Sequence, residues 1–68
     1  MIDGYENHIR KFREKSNMTQ QELAERLGTT VRSVRRWENG EIIPDVLTGV
    51  KISKILGVKF SEIFDVTN

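Results

Sequence analysis

The sequence predicts an all-α fold, a compact bundle of about five short helices in which the second and third form a helix-turn-helix. Three observations carry this. Apolar residues recur at spacings of three and four, and no strongly alternating strand pattern appears. Helix caps and stop residues punctuate the chain at short intervals. With 68 residues, no Cys and one His, neither a disulfide framework nor a Cys/His zinc site is open to it, so packed helices must hold the domain together.

The first helix is expected from about Tyr5 to Lys15, where Tyr5, Ile9 and Phe12 make an amphipathic stripe and Ser16-Asn17 ends it. The second follows a capping box, Thr19 with Glu22 three residues on. Met18 and Leu23 flank the box, and Leu23, Ala24 and Leu27 form the apolar face. Gly28 ends it, because Gly takes positive φ without steric cost. Thr30 can cap the third helix, Val31 to Glu38, which Asn39-Gly40 closes. Two short helices joined by about three residues with a Gly have helix-turn-helix spacing.

Glu41-Ile42-Ile43 is a loop, and Asp45 can cap a fourth helix from about Val46 to Leu56. Val46, Val50, Ile52 and Leu56 are its expected apolar contacts. Gly49 costs about 1 kcal/mol against Ala in mid-helix, so a bulky neighbour, with Trp37 as candidate, is expected to need the space. Gly57 ends this helix. Phe60, Ile63 and Phe64 suit a short fifth helix, after which the chain is expected to fray. A single domain over residues 1–68 is expected, and Met1 with a full set of elements points to a whole protein.

Charge is focused rather than global. The net charge is +1, yet residues 1–40 hold eight Lys/Arg against six Asp/Glu, and residues 41–68 three against four. Thr29–Trp37 holds three Arg and no acid. With Val31 as origin and about 100° per residue, Arg35, Arg32 and Arg36 fall within about 140° of it. Trp37 and Val34 lie opposite and should pack on helices one and two. An α-helix fits the major groove, and the Arg fork matches O6 and N7 of guanine. The N-terminal residues of such a helix reach deepest. Val31, suited to a thymine methyl, and Arg32 lead the expected base readers. Arg36 and Arg35 complete the set.

Other classes fit less well. No catalytic residue is expected, since no nucleophile–base constellation can be assembled with a single His and no Cys. His8 reads as a surface or half-buried structural residue, and no metal or cofactor is expected. Trp37 lies opposite the Arg face, which suits a core role rather than a stacking platform. No apolar run approaches the ~20 residues of a membrane span. The acidic start does not suit a signal peptide, and a cytoplasmic, nucleoid-associated protein without an evident small-molecule effector is expected.

The stretch MTQQELAERLGTTVRSVRRWENG (18–40) resembles the Cro/CI repressor-like helix-turn-helix family, with weaker likeness from Ile9 to Phe64. Its strongest elements are TQxELA at Thr19–Ala24, LG at Leu27-Gly28 and RWENG at Arg36–Gly40. The unit 20–39 places Ala24, Gly28 and Val34 where that family has small, turn and apolar residues. The resemblance implies a bundle of five helices and phosphate contacts from Gln20, Thr30 and Asn39. With Thr19 and Ser33 these make the expected DNA-backbone set. It implies a structural ion pair between Arg13 and Glu38. The chain departs from the family where Glu41-Ile42-Ile43 replaces a loop that often begins with Lys, which implies weaker nonspecific binding. Gly49 replaces a usual Leu, and Lys59 a usual Ser or Thr cap.

The function expected is that of a sequence-specific transcriptional regulator of bacterial or phage type, a repressor bound to a double-stranded operator. One reading head contacts few base pairs, so a homodimer through the C-terminal third is expected. Leu47, Ile55, Phe60, Ile63 and Phe64 exceed the obvious needs of one core, and either face inward or supply that interface. The alternative is a protein-interaction module, antitoxin-like or an adaptor, that retains the fold.

Overall fold

A computed structural model of the chain describes residues 4–66. In order, its elements are β1 (Tyr5–Asn7), α1 (Ile9–Lys15), α2 (Gln20–Leu27), α3 (Val31–Glu38), α4 (Val46–Leu56), α5 (Phe60–Ile63) and β2 (Phe64–Val66). Five helices enclose one core of Ile9, Leu23, Ala24, Val34, Trp37, Ile52, Leu56 and Ile63. Phe12, Met18, Leu27 and Val58 pack around it.

The caps act as local chemistry dictates. Glu22 N–H donates to Thr19 Oγ1 at 3.0 Å and Thr19 N–H to Glu22 Oε1 at 2.9 Å, closing the capping box of α2. Ser33 N–H donates to Thr30 Oγ1 at 3.1 Å to start α3, and Thr48 N–H to Asp45 Oδ1 at 2.8 Å to start α4. Between α2 and α3, Gly28 takes φ +71°, a left-handed conformation costly to residues with a Cβ. Ala24, with 1% exposure, lets α2 and α3 close together. Lys59 caps α5 without any side-chain hydrogen bond.

Four expectations are corrected. Tyr5 is not helical, and α1 begins only at Ile9. Tyr5–Asn7 instead pairs antiparallel with Phe64–Val66, in the register Tyr5↔Val66, Glu6↔Asp65, Asn7↔Phe64. The Asn7 side chain sets the boundary: Oδ1 accepts from Ile9 N–H at 3.2 Å and Nδ2 donates to Trp37 O at 3.0 Å. For the same reason Phe64 leaves α5 and residues 64–66 are paired rather than frayed; residues 67–68 lie outside the described part. The space at Gly49 serves Phe60 and Phe64, not Trp37. A Cβ there would meet Phe60 Cε2 at 2.8 Å and Phe64 Cε2 at 3.3 Å.

The C-terminal apolar residues, for which the sequence leaves both outcomes open, divide between core and surface, and the fourth correction, Val46, lies among their neighbours. Ile63 is fully buried, and Ile55 and Phe64 pack against the core. Val46, expected inside, is 76% exposed, since the face that α4 buries is Gly49, Ile52, Ser53 and Leu56. The apolar residues left in solvent are Ile43, Val46, Leu47, Phe60 and Val66. The sheet also gathers Glu6, His8 and Asp65, whose ligand-type atoms lie within 4.8 Å of one another. Separation along the chain hides this group from a sequence reading.

Candidate nucleic-acid interface

The face of α3 is set by what it buries. Val34 and Trp37 enter the core, at 0% and 8% exposure. Helical periodicity then turns Arg32 and Arg35 fully outward and leaves Val31, Ser33 and Arg36 half-buried at the flanks. The last residue of the helix, Glu38, is acidic, yet its carboxylate is withdrawn from the surface, with a side-chain exposure of 0%. The outward face is therefore basic along its length.

Glu38 is the centre of a hydrogen-bonded network. Arg13 donates Nε to Oε2 at 2.6 Å and Nη2 to Oε1 at 3.2 Å, a bidentate pair. Arg13 Nη1 donates to Met18 O at 2.8 Å, which ties the α1–α2 turn to the same group. Gln20 Nε2 donates to Glu38 Oε1 at 3.0 Å and Arg10 Nε at 3.1 Å. Burial pushes the Glu38 carboxyl up, but hydrogen bonds from Arg13, Gln20 and Arg10, with the Arg13 charge, outweigh it and hold the group below the ordinary glutamate range. The hydrogen bond to Glu38 raises the Arg13 guanidinium further above its usual value, against the effect of burial.

The structure thus joins several residues singled out in the sequence. Gln20, at the first turn of α2, shares Glu38 with Arg13. Asn39 follows α3, and its Oδ1 accepts from Arg10 Nη2 at 3.0 Å. Thr30 and Ser33 are coupled at the start of α3, hydroxyl to hydroxyl at 3.1 Å. Thr19 is engaged in its cap. Arg32 and Arg35 stand apart from this network, without an ion pair among the described residues. Arg36 approaches Glu41, Nε to Oε1, at 3.6 Å.

Arg10 was not singled out in the sequence. The available signal is its spacing, three residues before Arg13 on one face of α1. It bonds Glu38 and Asn39 together, so the turn after α3 is tied to α1. His8 is half-buried beside the sheet, remote in chain position from α3.

A family model described as helix-turn-helix matches residues 9–63. An uncharacterised HTH-type transcriptional regulator of Archaeoglobus fulgidus is 38% identical over 56 residues, covering 82% of this chain and 79% of that protein. Another from Methanocaldococcus jannaschii is 34% identical over 58 residues, covering 85% and 88%. Among solved structures, a candidate DNA-binding protein from Bacteroides fragilis has the same fold, with a TM-score of 0.84 at 23% identity over 90% of this chain and 98% of that one.

Proposed function

Since this chain belongs to the Cro/CI-like helix-turn-helix family, we propose that it is a sequence-specific transcriptional regulator, a repressor that reads the major groove of double-stranded DNA with α3. The observation that carries this is the surface of that helix. Arg32 and Arg35 project from it, Arg36 flanks them, and its acid is buried beneath. A solvated helix has no need to hide its acid, whereas a helix placed against phosphates does.

In this reading Arg32 meets a guanine edge with both fork nitrogens and Val31 meets a thymine methyl. Arg35 and Arg36 take further bases. Thr19, Gln20, Thr30, Ser33 and Asn39 hold the backbone, and the N-terminus of α2 faces a phosphate. The residues 20–39 act as the reading unit of one domain. Occupancy of an operator suffices for repression and requires no enzymatic step. The place of action is the nucleoid, and no helix among the described residues is long and apolar enough to cross a membrane.

The protein acts as a homodimer, with recognition helices ~34 Å apart on a two-fold operator. A groove of about 220 Å³ between α4, α5 and the sheet supports a second copy as its occupant. Exposed Ile43, Val46, Phe60 and Val66 line it. The Tyr5 ring and Phe64 complete its apolar wall.

Selection from random duplexes followed by footprinting tests this reading. An enriched site with half-sites one turn apart is expected, as is affinity that falls linearly in log[salt]. Arg32→Ala should relax specificity at one base pair by ~1–3 kcal/mol. The same apolar groove favours a second reading, a protein-interaction module. That reading prevails if no duplex is enriched and no salt-dependent binding occurs.

A further inference from the structure

Gly40, at φ +72°, reverses the chain after α3, and Glu41 N–H donates to Arg36 O at 3.0 Å. Residue 41 is thus held against Arg36 by the main chain as well as by its side chain. The Glu41 carboxylate then faces two residues of the DNA surface at once. Oε1 lies 3.6 Å from Arg36 Nε, and Oε2 accepts from Asn39 Nδ2 at 3.4 Å. Arg36 and Glu41 are both about half exposed, at 43% and 53%. Contacts this long and this wet are weak enough for DNA to break.

We propose that Glu41 is a specificity-determining residue of the DNA site, whose carboxylate competes with the duplex for Arg36 and Asn39. This rests on the DNA-binding reading above. In a loose, nonspecific complex the phosphates are not fixed in place, while the carboxylate is always at hand. Arg36 then stays paired and its charge counts for little. In a docked complex the duplex offers Arg36 and Asn39 fixed acceptors, and the pair opens. Glu41 therefore weakens nonspecific binding more than specific binding and widens the ratio between them.

The test compares wild type with Glu41→Gln on two duplexes, one enriched by selection and one shuffled to the same composition, across a salt series. Glu41→Gln should tighten binding to the shuffled duplex by roughly two- to fivefold and the selected duplex by less. The log–log salt slope on the shuffled duplex should steepen by about 0.9, one more phosphate engaged. In an Arg36→Gln background most of that gain should vanish. Glu41→Lys, also at this exposed position, should move both readouts further the same way. Thermal melting checks that each variant is folded. An unchanged affinity on both duplexes, an equal gain on both, or a full gain without Arg36 overturns the role of Glu41. A wild-type protein that binds neither duplex overturns the DNA reading itself.

Discussion

Glu38 receives four side-chain donors, from Arg10, Arg13 and Gln20, and its own side chain is covered from solvent. A buried pair of this kind is sensitive to the loss of one partner, because the other charge stays buried and unpaired. Glu38→Ala should therefore cost about 3 kcal/mol in urea denaturation, with Arg13 the stranded group. The pH dependence has a definite sign. The folded pKa of Glu38 lies below its unfolded value, so its stabilisation is full above the unfolded value, ~4.3, and is lost as pH falls through the folded one. Glu38→Gln should be less stable than wild type at neutral pH, and the two should converge on acidification. A constant difference down to strongly acidic pH contradicts the assignment. The same carboxylate holds Gln20, so loss of Glu38 should also weaken DNA binding.

Within elements, α4 tests whether close packing outweighs propensity. Gly to Ala in a helix interior ordinarily stabilises by about 1 kcal/mol. At Gly49 the new methyl meets the Phe60 and Phe64 rings, which are themselves in contact with centroids 4.7 Å apart. Gly49→Ala should show none of the usual gain, and a melting temperature raised by the full helical increment counts against this packing. The sheet presents the opposite case, a local cost. Glu6 and Asp65 stand directly across from each other, and like charges in that arrangement repel. Glu6→Lys should stabilise the fold by roughly 0.2–1 kcal/mol, read from the denaturation midpoint near neutral pH. An unchanged or lower midpoint removes the repulsion as an explanation. The helix starts carry a further acid sensitivity, since main-chain hydrogen bonds at Thr19 and Thr48 lower the pKa values of Glu22 and Asp45.

For the molecule as a whole, the question is where the exposed apolar surface goes. Val46 and Leu47 begin α4 at 76% and 67% exposure, so charge placed there does not disturb the core. Val46→Glu, on the wall of the groove, should leave the melting curve of the monomer intact. It should shift sedimentation at tens of micromolar toward the monomer and weaken operator binding. A wild-type protein that already sediments as a monomer, with single-site binding, removes the homodimer. Under the proposed reading the arrangement separates tasks: α3 presents Arg32 and Arg35 outward, and the apolar groove beside α4 and α5 is lined by Val46 and Phe60.

Much of the fold was legible along the chain because it rests on interactions of short range. Thr19 with Glu22, Gly28, Thr30, Asp45 and Gly57 act within one helical turn of themselves, and each element they bound can be read locally. The inward faces of Leu23, Ala24, Val34 and Trp37 follow from the period of the helix. The two faces of α3 were legible for that reason, as was the family. Pairings between distant segments were not. The strand at Tyr5–Asn7 exists only because Phe64–Val66 lies beside it, and neither trio contains a signal of its own. Arg10 on Asn39, Gln20 on Glu38 and the Phe60–Phe64 pair over Gly49 depend on where α1, α2 and α5 come to rest. Local hydrogen bonding and periodicity determined the helices and the basic face they display; only tertiary packing, which fills space between residues far apart in sequence, decided how that face is braced and what stays exposed behind it.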